Sequence, residues 1–238
     1  MKFIAKSVPV LRSVFLAALF LSAGTASFAK VSALNYLAPG QLDAATFLPP
    51  PPLMDSPEQA ADMQEVQVVY HATDSNTIAA AYSEKEFDVF SFTGVVGDYF
   101  TEANLPKTAA FFKKIHSDAA TVTDLGKDHF KRPRPFVTDP SLANGKLEKS
   151  FSYPSGHSTE SMVLALVLAD LIPEKSDAII ARAHQIGWHR VQIARHYPTD
   201  IYAGRVLAIA IVKQLKESPG FQKDFAEAKA ELAALQTR

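Results

Sequence analysis

The chain has no cysteine. Disulfide staples, zinc–thiolate centres and cysteine nucleophiles are therefore excluded. Burial alone must hold the fold, which a chain of 238 residues can manage. Beyond its first 29 residues it has no long apolar run; the longest, Met162–Ala169, is far too short to cross a bilayer. It also lacks an excess of positive charge. With 24 basic against 25 acidic residues, no overall field draws in nucleic acid or anionic lipid, so neither is expected as a partner. Any anion site has to be assembled locally from a few converging cations. Strand signals are scarce, no internal repeat is evident, and no second linker divides the chain.

What is present begins with a leader. Lys2, Lys6 and Arg12 precede the short apolar core Val14–Leu21, and Ser27-Phe28-Ala29 gives the small-x-small pattern of a signal-peptidase site. Residues 1–29 read as a signal peptide cut after Ala29, which predicts a periplasmic or secreted protein with no membrane segment in its mature form. The leader holds three basic residues and no acidic one, so the mature charge is 21 − 25 = −4.

Residues 30–55 read as an irregular arm, because Pro49-Pro50-Pro51-Pro52 can be neither helix nor central strand. Ser56-Pro57-Glu58-Gln59 is a capping box that opens a helix to about Ala72, with Met63, Val66, Val69 and Tyr70 at helical spacing. The apolar stretch Phe87–Phe100 is expected to be a helix, and another starts at Asn104–Pro106 with Ala109, Phe112 and Ile115 on one face. Further helices are predicted over about Ser158–Leu171, Ser176–Ala194, Pro198–Lys216 and Phe221–Leu235. On the third of these, Ile201, Gly204, Ala208, Ile211, Val212 and Leu215 form an apolar stripe that Lys213 and Lys216 avoid. The fold class is all-α: one helical-bundle domain over residues 30–238 with an N-terminal arm.

Three segments place cations and histidines where helical surfaces do not need them. In Lys127-Asp128-His129-Phe130-Lys131-Arg132-Pro133-Arg134-Pro135, the two Arg-Pro pairs should end a preceding helix and leave arginines on a rigid extended segment. Guanidinium groups held in that way can grip phosphate oxygens two at a time. In Pro154-Ser155-Gly156-His157-Ser158, small residues at a helix start expose backbone N–H groups to an anion, with His157 beside them as a proton donor. In Arg190-Val191-Gln192-Ile193-Ala194-Arg195-His196-Tyr197-Pro198-Thr199-Asp200, a helix start at Pro198 lets Asp200 hold one imidazole nitrogen of His196 while the other is aimed outward as a nucleophile. Each segment alone has an ordinary structural reading, as a basic surface loop, a plain N-cap or an i, i+4 surface pair.

Together, in this order and with these internal spacings, they resemble the phosphatidic-acid-phosphatase type 2 superfamily. The signature is lysine, six residues, Arg-Pro; then Pro-Ser-Gly-His; then Ser-Arg, five residues, histidine, three residues, aspartate. The leader, Leu48–Pro52 with Asp55-Ser56, and Lys127–Phe136 look like the class A bacterial non-specific acid phosphatases, over roughly Leu34 to Arg205. The resemblance implies an all-helical core, no metal or other cofactor, small phosphomonoesters as substrates and frequent homo-oligomers. It implies a phosphohistidine on His196, steadied by Asp200, with His157 as the leaving-group acid. Lys127, Arg134, Ser155, Gly156 and Arg190 would bind the phosphoryl group. One position departs: His189 stands where the family has serine, and it is expected either to donate to phosphate or to point elsewhere. His71, His116, His129 and His184 are read as structural or surface residues. A vanadate-dependent haloperoxidase on the same scaffold and a non-catalytic phosphate-binding protein are the competing expectations.

Overall fold

The computed structural model describes residues 34–236; the leader expected over residues 1–29 lies outside them. The described chain is helical, with no strand among these residues. In order the helices are α1 (Ala44–Phe47), α2 (Pro57–Ala72), α3 (Ser75–Ser83), α4 (Thr93–Val96), α5 (Pro106–Phe130), α6 (Pro135–Thr138), α7 (Gly156–Leu171), α8 (Ser176–Gln192), α9 (Pro198–Glu217) and α10 (Pro219–Gln236).

Helix α7 is the centre of the packing, and its sequence says why. Met162, Val163, Leu164, Ala165, Val167 and Leu168 leave no polar stripe, and a helix apolar on all sides has to be surrounded. Helices α5, α8 and α9 pack around it. The α9 stripe is buried as its spacing requires, and Lys213 and Lys216 stay exposed. Gly204 allows the closest approach: a Cβ there would lie 2.9 Å from Ser158 Cβ and 3.0 Å from the Ser155 carbonyl. The start of α7 and the start of α9 therefore touch backbone to side chain, and both carry site residues.

A second, smaller apolar cluster gathers Val66, Phe136, Leu142, Val191, Ala194, Tyr197 and Ile201, with Met63, Val69, Tyr70 and Trp188 packed against it. Its members from α8 and α9 alternate in sequence with Arg190, His196 and Asp200, so packing on that side fixes the backbone from which those three project.

The arm is strapped down by specific hydrogen bonds. The N–H groups of Asn35, Tyr36 and Leu37 all donate to the buried Asp118 carboxylate on α5 (2.7, 2.8 and 3.1 Å), and Tyr153 Oη donates to the Pro49 carbonyl at 2.7 Å. Within it Asp43 caps the one-turn helix α1, which the sequence did not signal. The stretch Phe87–Phe100 is not the single helix expected. Asp88 caps a 3-10 turn, Val89–Phe92, which runs into the single turn α4. Gly97, at φ +125°, stops it there, in a conformation a continuing helix cannot contain.

Candidate active site

Helix α5 ends with Lys131 in the left-handed conformation (φ 51°), a C-cap position that usually takes glycine. That reversal turns the two Arg-Pro pairs inward. Arg132 and Arg134 are both buried, not solvated. Arg134 Nε donates to the Ser150 carbonyl (2.8 Å), and its Nη1 donates to the Arg195 carbonyl (2.9 Å) and to His196 Nε2 (3.2 Å). Burial lowers the Arg134 pKa from its usual value. Lys127, in the last turn of α5, lies one side chain away from the start of α7: a Cβ on Gly156 would meet Lys127 Nζ at 3.1 Å.

His196 and Asp200 flank the start of α9. Asp200 occupies the third helical position and turns back, so that the Tyr197 N–H donates to Oδ2 (2.9 Å) and His196 Nδ1 lies 3.2 Å from the same oxygen. Ser152 Oγ also donates to Oδ2, while Arg132 Nη1 donates to Oδ1 at 2.6 Å. Burial alone would raise the Asp200 carboxyl, but the His196 hydrogen bond and the Arg132 charge outweigh it, so the group sits below the usual carboxylate range. With Nδ1–H given to Asp200, the Nε2 lone pair is the nitrogen that accepts from Arg134. Burial and the Arg134 charge push His196 down to about 3 despite Asp200. Near neutral pH the imidazole is uncharged and free to act as a nucleophile.

One cavity of about 210 Å³ collects Lys127, Arg134, Gly156, His157, Arg190 and His196. Arg190 donates through Nη1 to the Ala81 carbonyl (3.1 Å) and through Nη2 to Glu148 (3.0 Å), but its Nε is buried with no partner among the described residues. Burial lowers its pKa to about 10, which leaves it charged at any acid pH. A buried donor without a partner is costly. His157 Nε2 donates to the Glu84 carbonyl (3.0 Å), leaving Nδ1 to exchange a proton. Burial, then Arg190 and His196, hold its pKa well below the ordinary imidazole value.

Six of the nine sequence-predicted residues thus meet in one cavity, and Asp200 stands directly behind His196. The other two of the nine, Ser155 and His189, do not line it. Ser155 is fully buried behind the cavity: its hydroxyl caps α7 by accepting from Ser158 N (3.4 Å), and its N–H is spent on the Asp200 carbonyl (3.1 Å). Gly156 and His157, the first two helical positions, line the cavity instead, and their N–H groups are ones a helix leaves over. His189 does not line the cavity; its Nδ1 is 2.6 Å from Glu84 Oε2. His116, read as structural or surface, does line it, with Nε2 2.7 Å from Glu160 Oε2. The Glu160 hydrogen bond and nearby acidic charge raise its pKa against the effect of burial, the largest influence.

Sequence reasoning missed Arg132, which holds Asp200, Asp62 (2.7 Å) and Gln59 (2.5 Å) together. The doubled Arg-Pro was the available signal. Ser150, Ser152 and Glu148 sit in a run just before Pro154 that no motif marks. The segment Glu84–Glu86 gave no sign at all.

The PAP2 superfamily pattern matches residues 114–219. The chain is 32% identical over 217 residues to a non-specific acid phosphatase of Providencia stuartii, covering 85% of this chain and 86% of that one. It is 30% identical over 204 residues to an acid phosphatase of Zymomonas mobilis, covering 82% and 77%. A non-specific acid phosphatase of Salmonella typhimurium is 30% identical over 196 residues, covering 78% of each. Among solved structures, a bacterial vanadium-dependent iodoperoxidase superposes with a TM-score of 0.55 at 19% identity over 74% of this chain and 53% of that one, a likeness of fold. The chain belongs to the class A non-specific acid phosphatases of the PAP2 superfamily, phosphomonoester hydrolases built on an all-helical fold.

Proposed function

We propose that the chain hydrolyses small phosphomonoesters through a phosphohistidine on His196, without a metal, outside the cytoplasm. The observation that supports this reading is one small cavity in which three cations surround an uncharged imidazole whose far nitrogen is held by a buried carboxylate. Phosphoryl transfer needs chiefly positioning and charge stabilisation, which Lys127, Arg134, Arg190 and the first N–H groups of α7 can supply.

The phosphoryl group seats among these cations, and Arg134 Nη1 turns from His196 Nε2 to a phosphoryl oxygen. The Nε2 lone pair attacks phosphorus in line as the bond to the ester oxygen breaks. Asp200 stabilises the charge that grows on the imidazole. His157, protonated at Nδ1, gives that proton to the departing alcohol. Water then attacks phosphorus, giving a proton back to His157, and the P–N bond breaks to release inorganic phosphate. Because free His157 sits well below its usual value, it carries the required proton only at acid pH.

The cavity is small beside the roughly 300–1,000 Å³ of sites that enclose a drug-sized ligand. It holds the phosphoryl group and the first atoms of the alcohol; the remainder lies over Lys85 and Phe87 at its rim. Such a site reads phosphate closely and the alcohol loosely, which suits varied substrates. The leader supports export, and no helix among the described residues is long and apolar enough to cross a membrane.

The test is a panel of aryl, sugar and nucleotide monophosphates assayed with excess chelator at pH 4–7. Hydrolysis across the panel, unchanged by chelator and abolished in His196→Ala, is the expected result. Loss of activity on chelation, or turnover by His196→Ala, overturns the reading.

A further inference from the structure

The segment that follows α3 lies against the site without belonging to any motif. Its contacts, together with that of Ala81 in the last turn of α3, run to Arg190 and His157. The Ala81 carbonyl takes a hydrogen bond from Arg190, the Glu84 carbonyl takes one from His157 Nε2, and the Phe87 ring lies 5.2 Å from the His157 ring at a tilt of 40°. The Glu84 carbonyl therefore fixes which His157 nitrogen carries a proton in the neutral ring, and with Phe87 it fixes where the ring points.

What holds this segment is a single buried carboxylate. Glu84 Oε1 pairs with Arg182 Nη2 at 2.7 Å and Oε2 with His189 Nδ1 at 2.6 Å. Arg182 and His189 are seven residues apart, two turns along α8, so the carboxylate bridges one face of that helix. Of the two partners Arg182 is the more exposed, while Glu84 and His189 are both buried. A serine at 189 could not span that gap, since the imidazole supplies the reach. The His189 residue that breaks the family signature thus has a partner, which is Glu84 and not phosphate.

We infer that His189 and Glu84 act as a positioning pair for His157: they pin the segment whose Glu84 carbonyl sets the His157 tautomer and orients Nδ1 toward the ester oxygen. The inference rests on the reading of His157 as the leaving-group acid. Neither residue touches substrate. Their effect is confined to the step in which the alcohol is protonated.

That confinement supplies the test. An alkoxide cannot leave without a proton, whereas p-nitrophenolate can. In wild type, His157→Ala, Glu84→Ala, His189→Ser and His189→Asn, kcat/KM is measured for β-glycerophosphate and for p-nitrophenyl phosphate. This constant covers the steps through phosphoenzyme formation. Taking the ratio of the two substrates on one preparation cancels the folded fraction, so a partly unfolded variant remains informative.

In Glu84→Ala and His189→Ser the glycerophosphate to nitrophenyl ratio is expected to fall about tenfold or more, a share of the roughly 10²–10⁴ that a positioned acid supplies. His189→Asn keeps a donor at the Nδ1 position and should hold the wild-type ratio. A fall in His157→Ala with unchanged ratios in Glu84→Ala and His189→Ser overturns the positioning role alone. An unchanged ratio in His157→Ala overturns the acid assignment itself, and this inference with it.

Discussion

Asp200 decides which nitrogen of His196 faces the cavity. It accepts from Nδ1, from Tyr197 N and from Ser152, and is paired with Arg132, so its geometry is fixed from four directions. Asp200→Asn keeps the shape but can offer Nδ1 an amide N–H, which favours the wrong tautomer. The expected outcome is a fall in kcat on the order of 10³-fold with an unchanged circular dichroism spectrum. Arg190→Ala removes the cation whose Nε is unpaired and should lower kcat/KM by about 10²–10³, the loss typical of one donor to a developing oxyanion. The titrations give a profile as well. Attack requires unprotonated His196, so kcat/KM should persist in strong acid and fall only near pH 3; the alkaline limb follows His157 and should have its midpoint below 6.5. A stopped assay of kcat/KM from pH 2.5 to 8 reads both limbs. Lys127, Arg134, Gly156, His157, Arg190 and His196, which line the cavity, were legible in the sequence because each stands at a fixed spacing within a motif. Ser155, His189 and His116 were not, because motif membership says nothing about which way a side chain turns. Ser155 is spent on capping α7, His189 on Glu84, and His116 reaches the rim from a helix face read as ordinary surface.

At the scale of elements, the site depends on the start of α7 lying hard against α9. Gly204→Ala places a methyl 3.0 Å or less from the Ser155 carbonyl, Thr159 N and Ser158 Cβ. Two of these atoms are backbone and cannot step aside cheaply. We expect a loss of about 1–3 kcal/mol in stability together with reduced kcat, read by thermal melting and steady-state assay. Gly94→Ala, where nothing lies within 4 Å, serves as the comparison and should change neither by much. The long helices were readable because apolar periodicity and caps agree: Ser56 caps α2, proline opens α5 and α9, and the α9 stripe is buried as spaced. Besides the one-turn helix α1, two stretches escaped. Phe87–Phe100 is apolar enough for a helix, but the Asp88 cap and Gly97 at φ +125° break it into two turns. Helix α3 is only nine residues long and three of them are alanine, so its pattern is too brief to stand out, and only its Asp74 cap announced it. That unread helix delivers Ala81 and Glu84 to Arg190 and His157, so the legible motifs lack the segment that orients them.

For the whole molecule, activity and stability should pull in opposite directions with pH. His196 and His157 are held uncharged in the fold, whereas both take up protons in the unfolded chain below about 6.5. Stability from them is complete above that value and drains as pH falls, at about 1.4 kcal/mol per pH unit for His196 until its folded value near 3 is reached. Asp200 and Glu84, lowered in the fold, act in the same direction once pH drops through the unfolded carboxylate range. His116, raised by Glu160, opposes them, its contribution being present below 6.5 and lost as pH rises. The melting temperature should therefore be lower at pH 4 than at pH 7, and inorganic phosphate, by filling the cation cluster, should recover part of the difference at pH 4; calorimetry with and without phosphate reads both. The all-helical class was open to sequence because strand signals are scarce and α7 is apolar on every side. The burial of Arg132 and Arg134 was not, since a run of four basic residues in nine reads as solvated surface until Lys131 turns the chain inward. The most direct measurement on the account as a whole is the covalent one. Protein mixed with a phosphomonoester radiolabelled in its phosphoryl group is quenched in alkaline denaturant during turnover, and the labelled peptide is mapped. Label on His196, stable to alkali and lost in acid, is the expected result; label on another residue, or none while product accumulates in a burst, contradicts it.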